Sequence, residues 1–215
     1  MGILLALSVS LAVSIGAWAF GWITPGAALM VFFMGTVVIL RLGWFWTLPP
    51  VLFLAVGSLL SGGRRARRDA LQVLANGGMA TLWALLAEPG AYLTALTVGF
   101  ADTVATEVGT RLSPRAYLIT DLRKVPPGTS GGVSLPGTLA GLGAALLMLT
   151  FLILSGVGHP IPFLLSATVG LFSDSLIGAT LESRGLFGNN ATNFLSTATG
   201  SFLYFLLTRL LHTPL

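Results

Sequence analysis

The chain has 215 residues, of which 54% are hydrophobic and only 8% are charged, with a net charge of +4 at pH 7. This composition excludes a soluble globular domain, in which about 25% of residues are charged. The absence of cysteine excludes disulfides and thiolate metal sites, and the small basic excess is typical of membrane topology rather than of nucleic-acid binding.

Apolar stretches divide the chain into eight predicted membrane spans, since a span needs roughly 20 apolar residues and about 17 as a working minimum. The predicted spans cover residues 2–20, 25–40, 46–60, 70–87, 90–108, 134–157, 160–181 and 191–211. The second span is short, so a count of seven stays open. We predict an all-α polytopic membrane protein in which residues 1–215 form a single transmembrane domain.

Positive charge concentrates in three of the links between these spans, which hold nine of the eleven basic residues. They are Arg64, Arg65, Arg67, Arg68, Arg111, Arg115, Arg123, Lys124 and Arg184. Positively charged links remain in the cytoplasm during insertion, so we predict that all three face the cytoplasm of a protein in the cell membrane. The arginine run of residues 64–68 can alternatively be a topology anchor with no further role.

Five polar side chains fall at one depth in this topology, near the cytoplasmic ends of four different spans. They are Asn76, Asp102, Glu107, Asp174 and Asn193. A carboxylate inside the membrane costs roughly 2.5–3.5 kcal/mol even on insertion scales, and such residues mark functional sites. The coincidence of depth predicts a polar site that opens toward the cytoplasm.

Carboxylates and amides at a membrane surface suit a hard cation such as Mg²⁺, which is usually shared between carboxylates and substrate phosphates. We predict Asp102, Glu107 and Asp174 as metal ligands. The alternative is a set of interhelical hydrogen bonds or a proton relay. Asp102 and Glu107 lie about 140° apart on an ideal helix, so the cavity is wide, the helix breaks before Gly109, or Glu107 serves another partner.

The link after the fifth span contains a glycine-rich segment that can cradle phosphate through its backbone N–H groups and hydroxyls. Its candidate residues are Gly128, Thr129, Ser130, Gly131 and Gly132, with Lys124 just before them as a charge for phosphoryl oxygens. The spacing differs from that of a P-loop, and a plain flexible loop is the alternative. Ser134 is predicted to cap the helix that follows, with Pro136 in its first turn.

Four segments together resemble the signature of one integral membrane family, long catalogued as a domain of unknown function, that includes the plant phytyl-phosphate kinases. The segments are QVLANGG (72–78), ADTVATEVG (101–109), VPPGTSGGVSLPGT (125–138) and DSLIGATLE (174–182). The resemblance extends over nearly all of the chain beyond the third span. The family is more distantly similar to CTP-dependent polyprenol kinases and CDP-lipid synthases.

The resemblance implies a kinase that transfers the γ-phosphate of a nucleoside triphosphate, CTP in preference to ATP, to a phytyl or prenyl monophosphate. It implies catalytic roles for Asp102, Glu107, Lys124 and Asp174. It also implies nucleotide- or phosphate-binding roles for Asn76, Lys124, the segment of residues 128–132, and Asn193. The implied cofactor is Mg²⁺ and the implied partners are the lipid substrate and membrane lipid, while no feature indicates an oligomeric state.

Three other functions stay open at this point. A CTP-dependent cytidylyltransferase that makes a CDP-lipid would use the same metal and loop but would release diphosphate. A lipid or small-molecule transporter would need polar residues through the full membrane thickness, whereas the outer halves of these spans are almost entirely apolar. A structural or assembly protein would not need three intramembrane carboxylates.

Overall fold

The computed structural model describes residues 2–62 and 67–212, and the side chain of His212 lies outside this description. Arg64 and Arg65, which the sequence analysis placed in a cytoplasmic link, therefore lie outside the described residues. Eight α-helices account for most of the described chain. They are α1 (Ile3–Ala19), α2 (Pro25–Leu42), α3 (Leu48–Leu60), α4 (Ala70–Leu85), α5 (Pro89–Leu112), α6 (Leu135–Ser155), α7 (Pro160–Ile177) and α8 (Asn189–His212).

The eight helices coincide with the eight predicted stretches, and the prediction of an all-α membrane fold is confirmed. Among the described residues, four segments can cross a membrane by length and apolar composition: Pro25–Leu42, Leu135–Ser155, Pro160–Glu182 and Asn189–Leu211. Two further apolar segments are shorter, Ile3–Ala19 and Trp44–Leu60, the second of which joins a 3₁₀ turn (Trp44–Thr47) to α3. The count of seven or eight spans stays a prediction.

Helix α5 occupies the centre of the molecule. Every residue of its segment 90–101 is buried, and α3, α4, α6, α7 and α8 all pack against it. Glycines make the closest of these approaches possible: a Cβ atom on Gly137 would lie 2.6 Å from the Ala105 carbonyl oxygen. Because protein rather than lipid surrounds α5, this helix can carry hydroxyls and carboxylates that a lipid-facing helix cannot.

Contacts between the links show that they gather at two opposite ends of the bundle. At one end the α1–α2 link pairs with the α3–α4 link through two backbone hydrogen bonds. The Thr24 amide donates to the Arg68 carbonyl oxygen, and the Arg68 amide donates to the Trp22 carbonyl oxygen, both at a distance of 3.0 Å. At the other end Arg209 near the end of α8 forms an ion pair with Glu88, and Tyr204 accepts a hydrogen bond from the His159 amide. The α5–α6 and α7–α8 links lie at the first end.

The α5–α6 link folds into a small antiparallel sheet, which the sequence analysis did not predict. Its strands are β1 (Ala116–Leu118), β2 (Lys124–Val125) and β3 (Gly132–Val133), in the order β2-β1-β3. Ser134 then begins α6, accepting a hydrogen bond from the Gly137 amide at 3.3 Å with Pro136 in the first turn. This cap is the one predicted from the sequence, and it fixes where the glycine-rich segment meets the helices.

Candidate functional site

Two of the predicted carboxylates meet between α5 and α7. The Asp102 and Asp174 side chains line the same pocket and lie close enough to interact electrostatically, and the Ser196 hydroxyl on α8 donates to Asp174 Oδ2 at 2.8 Å. Asp174 is only 9% exposed. Like charges at close range disfavour ionisation of both carboxyl groups, so a cation bound beside them would stabilise the doubly ionised pair.

The glycine-rich segment between β2 and β3 folds over these carboxylates. Gly128 and Gly131 adopt the left-handed conformation, with φ of 85° and 76°, which glycine adopts without steric penalty. A Cβ atom on Gly131 would overlap Ala179 in the turn that follows α7, and one on Gly178 would lie 2.8 Å from the Gly131 nitrogen. The absence of side chains at both positions lets the loop backbone lie directly against α7.

Glu182 anchors the glycine-rich segment to the helices. Its Oε1 accepts a hydrogen bond from the Ser130 hydroxyl at 2.7 Å, and its Oε2 accepts one from the Thr192 hydroxyl of α8 at 2.8 Å. Glu182 ends the π-helical turn (Gly178–Glu182) that extends α7. The sequence analysis did not select Glu182 as a site residue, although it belongs to the DSLIGATLE segment and is one of only seven acidic residues.

We expect the Ser130–Glu182 contact to stabilise the loop. Hydrogen bonds to charged groups contribute about 1.5–3 kcal/mol, so Ser130→Ala and Glu182→Gln should each lower the thermal unfolding midpoint in detergent. A double-mutant cycle should give a coupling free energy of at least about 0.5 kcal/mol, the lower end for contacting residues. Strictly additive effects would show that the contact does not form.

A first pocket, called here the loop pocket, lies between the glycine-rich segment, the end of α5, the start of α6 and α7. Its polar lining includes Asp102, Thr106, Thr110, Thr129, Ser130, Ser134, Thr138, Asp174, Ser175, Glu182 and Asn189. Among the described residues, the backbone N–H groups of Gly128, Ser130 and Gly131 donate to no other group. Free amides together with the N-terminus of α6 favour an anionic ligand.

A second pocket, called here the arginine pocket, also reaches Asp102. Its lining is Ser61, Arg67, Arg68, Gln72, Asn76, Asp102, Thr103, Thr106, Glu107, Asn189 and Asn193. Asp102, Thr106 and Asn189 line both pockets, so the two meet at Asp102. Burial lowers the pKa of the Arg68 guanidinium, and the nearby Glu107 carboxylate opposes that shift; an arginine stays positively charged throughout.

The predicted amide residues both reach the arginine pocket. The side-chain oxygens of Asn76 and Asn193 are buried and have no hydrogen-bond partner among the described residues. A buried polar atom without a partner costs about 1–3 kcal/mol, so each is expected to be satisfied by a ligand or a cation. The Asn76 oxygen has room because Gly99 faces it, where a Cβ atom would lie 2.7 Å away.

Two other predicted residues lie apart from the Asp102–Asp174 pair. Helix α5 continues unbroken to Leu112, and Glu107 forms an ion pair with Arg111 at 3.4 Å. Glu107 still lines the arginine pocket, so it shares that space with Asp102 without joining Asp174. Lys124 lies in β2 with an exposed side chain and lines neither pocket.

The oxygen ligands available here fit a Mg²⁺ ion that is coordinated partly by the protein and partly by substrate phosphate. No group of three or more histidine, cysteine, aspartate or glutamate side chains in residues 2–62 and 67–212 forms a complete metal site. Mg²⁺ usually takes only one or two carboxylates and completes its shell with water and substrate phosphate. Asp102 and Asp174 can supply the carboxylates, and the free oxygens of Asn76 and Asn193 are hard ligands of the same kind.

The fold and the site together define a helical integral membrane protein with a cluster of polar side chains at one end of its bundle. Within that class, the chain belongs to the integral membrane protein DUF92 family, whose profile matches residues 8–201. The family resemblance recognised in the sequence is thereby confirmed. No solved structure matches the chain.

Its relatives come from archaea, cyanobacteria and plants. An uncharacterized membrane protein of Methanocaldococcus jannaschii is 34% identical over 63% of this chain and 60% of its own length. An uncharacterized membrane protein of Synechocystis is 37% identical over 51% of this chain and 44% of its own. The chloroplastic protein VTE6 of Arabidopsis thaliana is 29% identical over 67% of this chain and 48% of its own. The chain thus spans between 44% and 60% of the length of these three relatives.

Proposed function

We propose that the protein is a membrane phosphotransferase that moves the γ-phosphate of a nucleoside triphosphate onto an isoprenyl monophosphate and so forms the diphosphate. The observation that carries the proposal is the meeting of two anion-suited pockets at Asp102. Phosphoryl transfer places the attacking oxygen of the acceptor and the leaving oxygen of the donor in line, beside groups that neutralise the developing charge. The resemblance to a family that includes plant phytyl-phosphate kinases supports the isoprenyl acceptor.

The loop pocket suits the donor. Its free backbone amides and the N-terminus of α6 can hold triphosphate oxygens. Because glycines have no side chain, a phosphate can approach the backbone of the glycine-rich segment closely. Because the Lys124 side chain is exposed, we assign the phosphate contacts to the backbone amides of Gly128, Ser130 and Gly131. The preference for CTP over ATP rests on the resemblance to CTP-dependent polyprenol kinases.

The arginine pocket suits the acceptor. Arg67 and Arg68 bring positive charge there, while the amide side chains of Gln72 and Asn76 can orient a phosphate through hydrogen bonds. An acceptor phosphate is largely ionised near neutral pH, with a second pKa of about 6, so it needs no catalytic base. The contribution of the protein is to position the two phosphates and to exclude water.

The Asp102–Asp174 pair would hold Mg²⁺ at the point where the pockets meet, with Asn76 and Asn193 as further oxygen ligands. When bound, the metal neutralises the charge on the phosphoryl oxygens. The Ser196 hydroxyl orients the Asp174 carboxylate, and the Ser130–Glu182–Thr192 contacts hold the loop over the pair. These residues act through geometry, which is the main source of rate enhancement in phosphoryl transfer.

A labelling experiment tests the proposal. Purified protein in detergent is incubated with Mg²⁺, CTP or ATP labelled at either the α- or γ-phosphate, and prenyl monophosphates of two to four isoprene units. We expect γ-label in a prenyl diphosphate, no transfer of α-label, and loss of the product when a chelator removes the metal. Transfer of α-label with release of diphosphate would instead identify a CDP-lipid synthase. Absence of any labelled lipid with every pairing would overturn the assignment as an enzyme.

A further inference from the structure

Arg68 is held in an unusual position for a membrane-surface arginine. Its backbone is fixed by the pairing with the α1–α2 link, and its guanidinium carbon lies 5.0 Å from the centre of the Phe53 ring on α3. Gly57 makes the space, because a Cβ atom there would overlap the guanidinium. Among the described residues no carboxylate forms an ion pair with Arg68. The planar guanidinium group of Arg68 therefore faces the pockets that it lines and can donate hydrogen bonds to a ligand.

Below Arg68 an apolar cavity extends between α1, α2, α3 and α4. Arg68, Gln72 and Asn76 line both this cavity and the arginine pocket, so the two spaces are continuous. The remaining lining is mainly aliphatic and includes Val9, Val13, Val31, Val38, Ile39 and Leu54. The empty space is about 870 Å³ including its open side.

The cavity runs along the membrane normal toward the opposite end of the bundle. Along α5, its lining reaches Tyr92, ten residues before Asp102, which at ~1.5 Å per residue is about 15 Å deeper. The Tyr92 hydroxyl donates to the Trp46 carbonyl oxygen at 2.6 Å and its ring packs edge-on against Trp46. Tyr92, held in place by these contacts, lines the end of the cavity that lies farthest from Arg68.

We infer that this cavity binds the single hydrocarbon tail of a phosphorylated lipid, with Arg68 holding the phosphate at its mouth and the far end at Tyr92 limiting tail length. The inference deepens the proposed function, on which it rests for the identity of the acceptor. The Arg68 guanidinium at one end of an apolar cavity is complementary to a lipid phosphate, which has an anionic head group and a single apolar tail. Phosphate bound there faces Asp102 across the arginine pocket.

Photo-crosslinking tests tail binding independently of turnover. The probe is a prenyl monophosphate of three isoprene units with a diazirine at the far end of its tail, used without nucleotide or metal. We expect crosslinks to peptides that carry the cavity lining of α2, α3 and α4, with at least tenfold stronger competition by prenyl monophosphate than by the matching alcohol. Crosslinks confined to the lipid-facing surfaces of α6 and α7, or equal competition by the alcohol, would overturn the inference even if kinase activity were found.

The Arg68 position is tested with the same probe. Arg68→Gln should reduce specific crosslinking at least tenfold, whereas Arg68→Lys should retain part of it, because lysine keeps the charge but lacks the two-pronged donor geometry. The thermal unfolding midpoint of each variant shows whether the fold is retained. Unchanged crosslinking in a folded Arg68→Gln protein would contradict the role of Arg68.

Tail length is tested by narrowing the cavity at Gly35, where a Cβ atom would lie 3.2 Å from Ser10 Oγ. Gly35→Leu should shift binding toward shorter prenyl phosphates, lowering the four-unit to two-unit affinity ratio at least fivefold. Gly143→Leu is the matched control, because Gly143 is an exposed helical glycine with nothing within 4 Å of its Cβ position. An identical shift of the affinity ratio in both variants, or no shift in a folded Gly35→Leu protein, would show that this cavity does not determine the preferred tail length.

Discussion

Asp102→Asn is expected to lower the rate of phosphoryl transfer by about two to three orders of magnitude, as loss of a single electrostatic group in an active site does. The carboxylate lies where the loop pocket meets the arginine pocket and is paired with Asp174. Asparagine preserves its size but removes the charge that holds a cation. Turnover of labelled nucleotide, with the unfolding midpoint measured on the same samples, checks the prediction. Asp174→Asn should have an effect of the same order.

The control for this substitution is Asp121→Asn, the same chemical change at an exposed carboxylate. Asp121 accepts a hydrogen bond from the Arg123 amide at 3.0 Å and lines neither pocket. Its activity should stay within twofold of the unaltered protein. A folded Asp102→Asn protein that retained full transfer would remove the basis for placing the reaction at the Asp102–Asp174 pair.

Gly131→Ala is the second change from which we expect a large effect. Alanine at the left-handed φ of 76° costs about 1–2 kcal/mol, and its Cβ atom would also overlap Ala179. Neither backbone can yield without moving the loop away from α7. We expect nucleotide affinity to fall at least tenfold and the unfolding midpoint to decrease, as measured by nucleotide titration and by thermal unfolding.

Gly185→Ala separates the two causes. Gly185 has a closely similar φ of 71°, but nothing lies within 4 Å of its Cβ position. It should therefore show only the backbone penalty, with nucleotide affinity unchanged. Equal losses of affinity in the two variants would mean that the loop does not depend on its contact with α7.

The helices were predictable because long apolar runs, glycine and proline breaks, and capping residues act locally. Ser134 and Pro136 start α6 where the sequence indicated. The α5–α6 sheet was not predictable, because strands of two or three residues contain too little alternation to show a pattern. The central position of α5 was also missed, since burial by other helices and burial by lipid both favour apolar residues.

The site was predictable in its depth but not in its contacts. Asp102, Asp174, Asn76 and Asn193 come together because helix ends at one membrane surface restrict where polar side chains can lie. The angular separation of Asp102 and Glu107 indicated that a narrow helix face could not present both carboxylates to one partner. In the structure α5 is unbroken and Glu107 pairs with Arg111. Glu182 and Arg68 depend on packing between distant segments, for which a single sequence contains no periodic signal.

The enclosure of α5 has a consequence for biogenesis. Of the described residues, those of α5 are not among the four segments apolar enough to cross a membrane unaided, yet α5 is the hub on which the other helices assemble. Asp102 lies in a pocket whose lining includes residues of α6 and α7, and these helices emerge from the ribosome after α5. We therefore expect stable integration of α5 to depend on packing against the second half of the polypeptide, so that insertion and tertiary assembly are coupled.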